Sequence, residues 1–176
     1  PSLIGAWRAR FVLDDAFISF LYARNLVEGR GLTWFGAHTE GYSNFLWVLW
    51  MALGFRAGAE PVAWSWIGGL LSFLAVLWGS WQLARVAFQR TLPAVWLVLL
   101  LATNFTFLSF ATSGMETMLQ ATLLVWALLQ VYRLRREGRA ERSRGATLSV
   151  LLAAAFLTRM DSALPGLVLV GAAAAA

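Results

Sequence analysis

Three apolar runs constrain this chain more than anything else in it. They are "PVAWSWIGGLLSFLAVLWGSWQLA" (61–84), "LPAVWLVLLLATNFTFLSFA" (92–111) and "METMLQATLLVWALLQVY" (115–132). Each falls within the roughly 17–25 predominantly apolar residues that a helix needs to cross a bilayer. A fourth apolar region, 146–176, is interrupted by "TRMDSALP", so it reads as one long kinked helix or as two short ones. The expected fold is therefore all-α and polytopic in a membrane. Composition agrees, with 60% hydrophobic and only 13% charged residues, against about 25% charged in a soluble domain. Ten Trp fit as well, because indole rings favour the membrane–water interface.

Arginine placement gives the orientation. Arg85 and Arg90 separate the first two runs, and Arg133, Arg135, Arg136, Arg139, Arg142 and Arg144 follow the third. The second and third runs are joined by a tiny "TSG" turn, so both Arg-bearing loops lie on one side, the cytoplasmic side by the positive-inside rule. The net charge of +5 is then a matter of topology. The 133–144 stretch is a solvated loop, and no nucleic-acid partner is expected. Five further Arg in residues 1–60 are spread too thinly to reverse the assignment.

Residues 1–60 then form an outer, extracytoplasmic first loop, and 61–176 the membrane part. From Asp15 to Glu28, Phe17, Phe20, Leu21 and Leu26 recur at helical spacing, with Gly29 placed as a C-terminal cap and Arg24 four residues before Glu28. "GRGLTWFGAHTEGYSN" reads as loop, after which Ser43 is placed to cap a short apolar helix, "NFLWVLWMALGF". At about 12 residues, that helix suits the interface better than a crossing. The chain opens on Pro1 and stops within "GLVLVGAAAAA", which reads as a fragment of a longer membrane protein.

Few residues carry chemistry. Asp14 and Asp15 open the first outer helix. One carboxylate suffices to cap a helix; a second beside membrane-facing aromatics points to a general base or a cation ligand. Glu116 follows the "TSG" turn and reads either as a first-turn glutamate favoured by the helix dipole or as part of the same cavity. Arg159 and Asp161 break an apolar run, where ionisable side chains are costly and mark sites or pathways unless they compensate each other. His38, the only histidine, has no partners at metal-ligand spacing and reads as an ordinary loop residue. The "NFT" sequon at Asn104 falls inside an apolar run and reads as fortuitous. Cysteine is absent, which removes thiolate and disulfide chemistry. No nucleotide-binding glycine loop and no Ser/His/Asp arrangement occurs.

In order, "DDAFISFLYARNLVEGRGLTWF", "EGYSNFLWVLWMAL", "TSGMETML" and "LTRMDSALPG" resemble the N-terminal module of the GT-C membrane glycosyltransferases. The branch with the cell-wall arabinofuranosyltransferases is the most similar, and the lipid A aminoarabinose and protein mannosyltransferases are more distant. The resemblance spans nearly the whole chain. It implies an all-α membrane module with amphipathic outer helices that transfers a sugar from a polyprenyl-phosphate donor to a glycan, lipid or protein acceptor on the outer face of a bacterial plasma membrane. It places the catalytic base at Asp14, with Asp15 beside it, and a further acidic residue at Glu116. Arg24, Arg30, Arg159 and Asp161 become candidates for holding the donor phosphate or substrate. Met160 stands where the family pattern has Pro, so the backbone there departs from it. A sugar on polyprenyl phosphate carries its own leaving group, so no nucleotide cofactor is needed; a divalent metal at the acidic site stays open. Two other classes remain: a transporter with a broken helix, and a non-catalytic structural subunit of a membrane complex.

Overall fold

The computed structural model describes residues 12–34, 43–137 and 142–174, without the side chains of 137 and 142. Residues 1–11, much of the first loop with His38, Arg139 and the last two alanines lie outside the described residues. Those described are all-helical, with no strand. The helices are α1 (Ala16–Val27), α2 (Phe45–Arg56), α3 (Pro61–Phe88), α4 (Thr91–Thr103), α5 (Phe105–Ala111), α6 (Thr117–Glu137), α7 (Arg142–Thr158) and α8 (Ala163–Ala174), with a 3₁₀ turn, Met160–Ser162, before α8. Two of them, Pro61–Phe88 and Thr117–Arg136, are long and apolar enough to cross a membrane, and there are three if α4 and α5 form one bent span.

Helix ends follow their local chemistry. Glu60 caps α3 by accepting from Val62 N at 3.0 Å and Ala63 N at 2.6 Å, with Pro61 at the first position, where no N–H is needed. At the end of α1, Gly29 adopts φ +77°. This lets its N–H reach Leu26 O at 3.2 Å and lets Arg30 N reach Asn25 O at 2.9 Å, the paired closure expected of a glycine stop. The Arg24–Glu28 pair forms at 2.8 Å. The expectation of Ser43 as the cap of α2 does not hold: the N-cap is Asn44, and its side chain makes no capping bond.

The bundle is built on α3 and α6, which run parallel. Thr122 Oγ1 donates to Ser72 O at 2.8 Å, Trp126 Nε1 donates to Ala75 O at 3.0 Å, and Arg136 donates to Val86 O at 2.7 Å. That last bond places the Arg-bearing ends of α3 and α6 together. A Cβ on Gly69 would run into the Ala111 carbonyl, so glycine is what allows α3 and α5 to touch there. Residues 92–111 do not form the single helix expected of them. They bend by 63° between α4 and α5, where Asn104 takes an extended backbone and caps α5 by accepting from Phe107 N at 3.1 Å. The interrupted region resolves into two short helices rather than one kinked one, and they form a hairpin. Leu148 of α7 and Leu169, Ala172 and Ala173 of α8 share a cluster with Ala127 and Val131 of α6, and Arg135 donates to Ala172 O at 3.1 Å. The tip, 159–162, therefore lies at the end of the bundle away from the arginines.

At that same end α1 and α2 pack over the start of α6, burying Phe20, Tyr22, Trp47, Val48 and Met51. The "TSG" turn anchors both. Ser113 O accepts from Leu13 N at 3.0 Å, and Gly114 O accepts from Trp47 Nε1 at 3.0 Å. Gly114 holds φ +83°, and a Cβ there would sit 3.0 Å from both Ala16 Cβ and Val12 Cγ1.

Candidate functional site

Four segments far apart in sequence meet at the end where the turn and the hairpin tip lie. A polar cleft of about 150 Å³ is lined by Asp15, Ser19, Asn44, Met115, Glu116 and Arg159, among others. Glu116 precedes α6 and is 3% exposed. Its carboxylate is held from two sides: Asn44 Nδ2 donates to Oε2 at 2.8 Å, and Arg159 Nη1 donates to Oε1 at 3.2 Å. A buried carboxylate without such donors would be strongly disfavoured. Asn44 also donates to Ser19 Oγ at 2.8 Å, which ties the starts of α1, α2 and α6 together. The amide Oδ1 of Asn44 is buried and has no hydrogen-bond partner among the described residues.

Arg159 sits in the break after α7 with an extended backbone, φ −158° and ψ 130°. Its guanidinium also grips Asp161, with Nη2 donating to Oδ2 at 3.0 Å and Nε donating to both carboxylate oxygens at 3.2–3.3 Å. Gln120, one turn along α6 from Glu116, donates to Asp161 Oδ1 at 2.8 Å and Ser162 Oγ at 2.9 Å. The two charges at the hairpin tip thus compensate each other and are also docked on α6.

Of the residues singled out by sequence, Asp15, Glu116 and Arg159 line the cleft, and Asp161 pairs with Arg159 without being among the lining residues. Asp14 is adjacent, exposed and outside the lining. Asp15 occupies the N-cap position of α1 but makes no side-chain capping bond. The first turn is closed instead by backbone bonds from Ala16, Phe17 and Ile18. Among the described residues neither carboxylate therefore makes a capping hydrogen bond. Arg24 and Arg30 are not brought to the cleft. At the far end of α1, about 18 Å along a helix of this length, both pair with Glu28, and Arg30 also holds Asn25 Oδ1 at 2.8 Å. The Arg24 hydrogen bond keeps the Glu28 carboxyl below its ordinary value, opposed by slight desolvation and aided by both arginine charges.

Sequence reasoning missed Asn44, Ser19, Gln120 and Ser162. Asn44 carried a signal, an asparagine at the head of an apolar helix, but that signal reads as a cap. Gln120, four residues after Glu116 on the same face of α6, had a spacing that marks it only once Glu116 is known to face inward. Among the described residues no three His, Asp or Glu side chains converge as a cage for a metal ion.

An apolar groove of about 470 Å³ is lined by Leu46, Trp47, Trp50, Leu71 and Leu119 among others. Leu46 and Trp47 of α2 and Leu119 of α6 follow closely in sequence on Ser43, Asn44, Met115 and Glu116, which line the cleft. Trp50 stacks on Trp64 with ring centroids 4.7 Å apart, and its Nε1 is buried without a hydrogen-bond partner among the described residues. Comparisons with protein families, with curated proteins and with solved structures find no match to this chain. Its chemistry has to be read from the cleft, the groove and the motifs that build them.

Proposed function

We propose that this chain is the membrane-embedded part of a glycosyltransferase that moves a sugar from a polyprenyl-phosphate donor to an acceptor hydroxyl on the extracytoplasmic face. One observation carries the reading. A cleft holding two carboxylates and an arginine lies at the end of the bundle opposite its arginine-rich end, and the segments after its lining residues in sequence contribute to an apolar groove. An amphiphilic anion matches that pairing: Arg159 is a planar fork for a phosphate, and the groove is a place for the first part of a lipid tail. With the arginine-bearing ends of α3 and α6 on the cytoplasmic side, the cleft lies at the outer surface of an integral membrane protein.

In the proposed reaction the bond between the sugar's anomeric carbon and the phosphate oxygen breaks, and the phosphate leaves with the electron pair. The acceptor oxygen bonds to that carbon, and its proton passes to a carboxylate of the Asp14–Asp15 pair. Neither aspartate side chain has a hydrogen-bond or ion-pair partner among the described residues, so neither carboxylate is already engaged. Glu116, held by Asn44 and Arg159, fixes the position of the guanidinium. Arg159 stabilises the charge that builds on the departing phosphate.

The test is transfer by the full-length protein in proteoliposomes, with a panel of polyprenyl-phosphate pentoses and hexoses and release of polyprenyl phosphate as the readout. Replacing the base by Asn should cost about 10²–10⁴-fold in rate, and Arg159→Gln should lose donor binding. Unchanged turnover in both Asp14→Asn and Asp15→Asn would overturn the catalytic reading. A transporter is the second reading, favoured by one observation: apolar helices break twice, at Asn104 and at Arg159. It predicts solute flux across the liposome membrane with no bond cleavage.

A further inference from the structure

Arg159 is shared by two carboxylates of unlike standing. Glu116 is 3% exposed and lines the cleft. Asp161 is 60% exposed, accepts three of the guanidinium's four observed hydrogen bonds and is not among the cleft's lining residues. Moving Glu116 would strand a buried charge and break its bond to Asn44. Moving Asp161 would cost little, because an exposed pair is weak and its carboxylate keeps a second donor, Gln120 Nε2 at 2.8 Å. Arg159 itself is 34% exposed and faces the cleft.

We propose that Asp161 is a resident counter-anion that occupies the Arg159 fork when the cleft is empty and is displaced by the ligand's phosphate, with Gln120 retaining it and Glu116 holding Arg159 in place throughout. The inference rests on the phosphate-binding reading of the cleft and deepens it: Asp161 becomes the residue that sets the affinity for anions. A carboxylate and a phosphate present similar pairs of oxygens to a guanidinium, so the two compete for the same donors. A neutral ligand with the same tail has no need to displace Asp161.

The experiment measures binding of geranyl phosphate and of geraniol to the full chain in detergent, for the wild type, Asp161→Asn, Gln120→Leu and Arg159→Gln. Asn keeps the acceptor for Gln120 while removing the charge. Asp161→Asn should bind geranyl phosphate about two- to five-fold more tightly, the range expected on removing an exposed ionic competitor, with geraniol unchanged. Gln120→Leu should weaken geranyl phosphate binding, because the displaced carboxylate loses its holder. If the wild type binds geranyl phosphate and Arg159→Gln does not, but Asp161→Asn binds it equally or more weakly, the displacement is refuted and the phosphate site stands. If no variant prefers geranyl phosphate over geraniol, the phosphate reading fails and this inference fails with it.

Discussion

The Glu116–Arg159 pair makes a prediction in which the sign matters more than the size. At 3.2 Å the gross attraction is about 5 kcal/mol at an effective dielectric of roughly 20. Most of it is offset by the cost of holding Glu116 away from water. Removing Arg159 leaves the Glu116 carboxyl buried and bonded only to Asn44. Such a break costs about 3–5 kcal/mol at a fully buried pair, which we lower to about 2–3 because Arg159 is one-third exposed. Replacing Glu116 by Gln removes the buried charge but sets an amide N–H₂ against either Asn44 or Arg159, costing about 1–3 kcal/mol for the donor left unpaired. The double variant carries no stranded carboxylate. Arg159→Gln with Glu116→Gln should therefore be more stable than Arg159→Gln alone, with a coupling of about 1–2 kcal/mol. The assay is a double-mutant cycle on unfolding midpoints of the full chain in one fixed detergent. Additive losses, or a double variant less stable than Arg159→Gln, would refute the idea that Arg159 is what allows Glu116 to be buried.

Gly114→Ala should cost about 1–3 kcal/mol, because φ +83° and two carbon neighbours at 3.0 Å leave no relaxed position for a methyl group; limited proteolysis should show α1 released before the bundle. Gly69→Ala should be destabilising by a similar amount through its collision with the Ala111 carbonyl, and thermal unfolding would reveal it as a lowered midpoint. The lowered Glu28 value implies a contribution that is full above the ordinary glutamate value of about 4.3 and is lost as pH falls through the lower folded value; Arg24→Gln should raise the Glu28 titration seen by NMR. In this cysteine-free chain, Ala57→Cys and Ala87→Cys should label from opposite sides of the membrane, and outside reagent reaching 87 but not 57 would reverse the proposed orientation.

The helices were legible because long apolar runs and their breakers act locally. Pro61 and Gly29 mark helix boundaries through fixed or permissive backbone angles, and the i,i+4 spacing of Arg24 and Glu28 yields the observed pair. The break at Asn104 was not legible, because hydropathy averages over it: one asparagine among apolar residues changes the mean little but supplies a full capping interaction. The hairpin was half legible. "TRMDS" announced an interruption, but whether the chain kinks or reverses depends on how α7 and α8 pack on α6, which is a long-range matter.

The same distinction governs the cleft. Asp15, Glu116 and Arg159 stand out in sequence because charge is rare among apolar residues, and rarity is a local property. Asn44 and Gln120 do not stand out, because amides are common at helix heads and on exposed faces. Their roles come from partners 72 and 41 residues away. Arg24 and Arg30 are as conspicuous in sequence as Arg159, but in the structure they pair with Glu28 at the far end of α1 and do not line the cleft. What separates the three arginines is the burial of the acid each one meets. Glu28 is a surface acid whose pairing is worth little, whereas Glu116 can be buried only with Arg159 and Asn44 present. A charged residue in such a chain is therefore best judged by whether its removal strands another charge. By that criterion Arg159 belongs to the site and Arg24 to the surface.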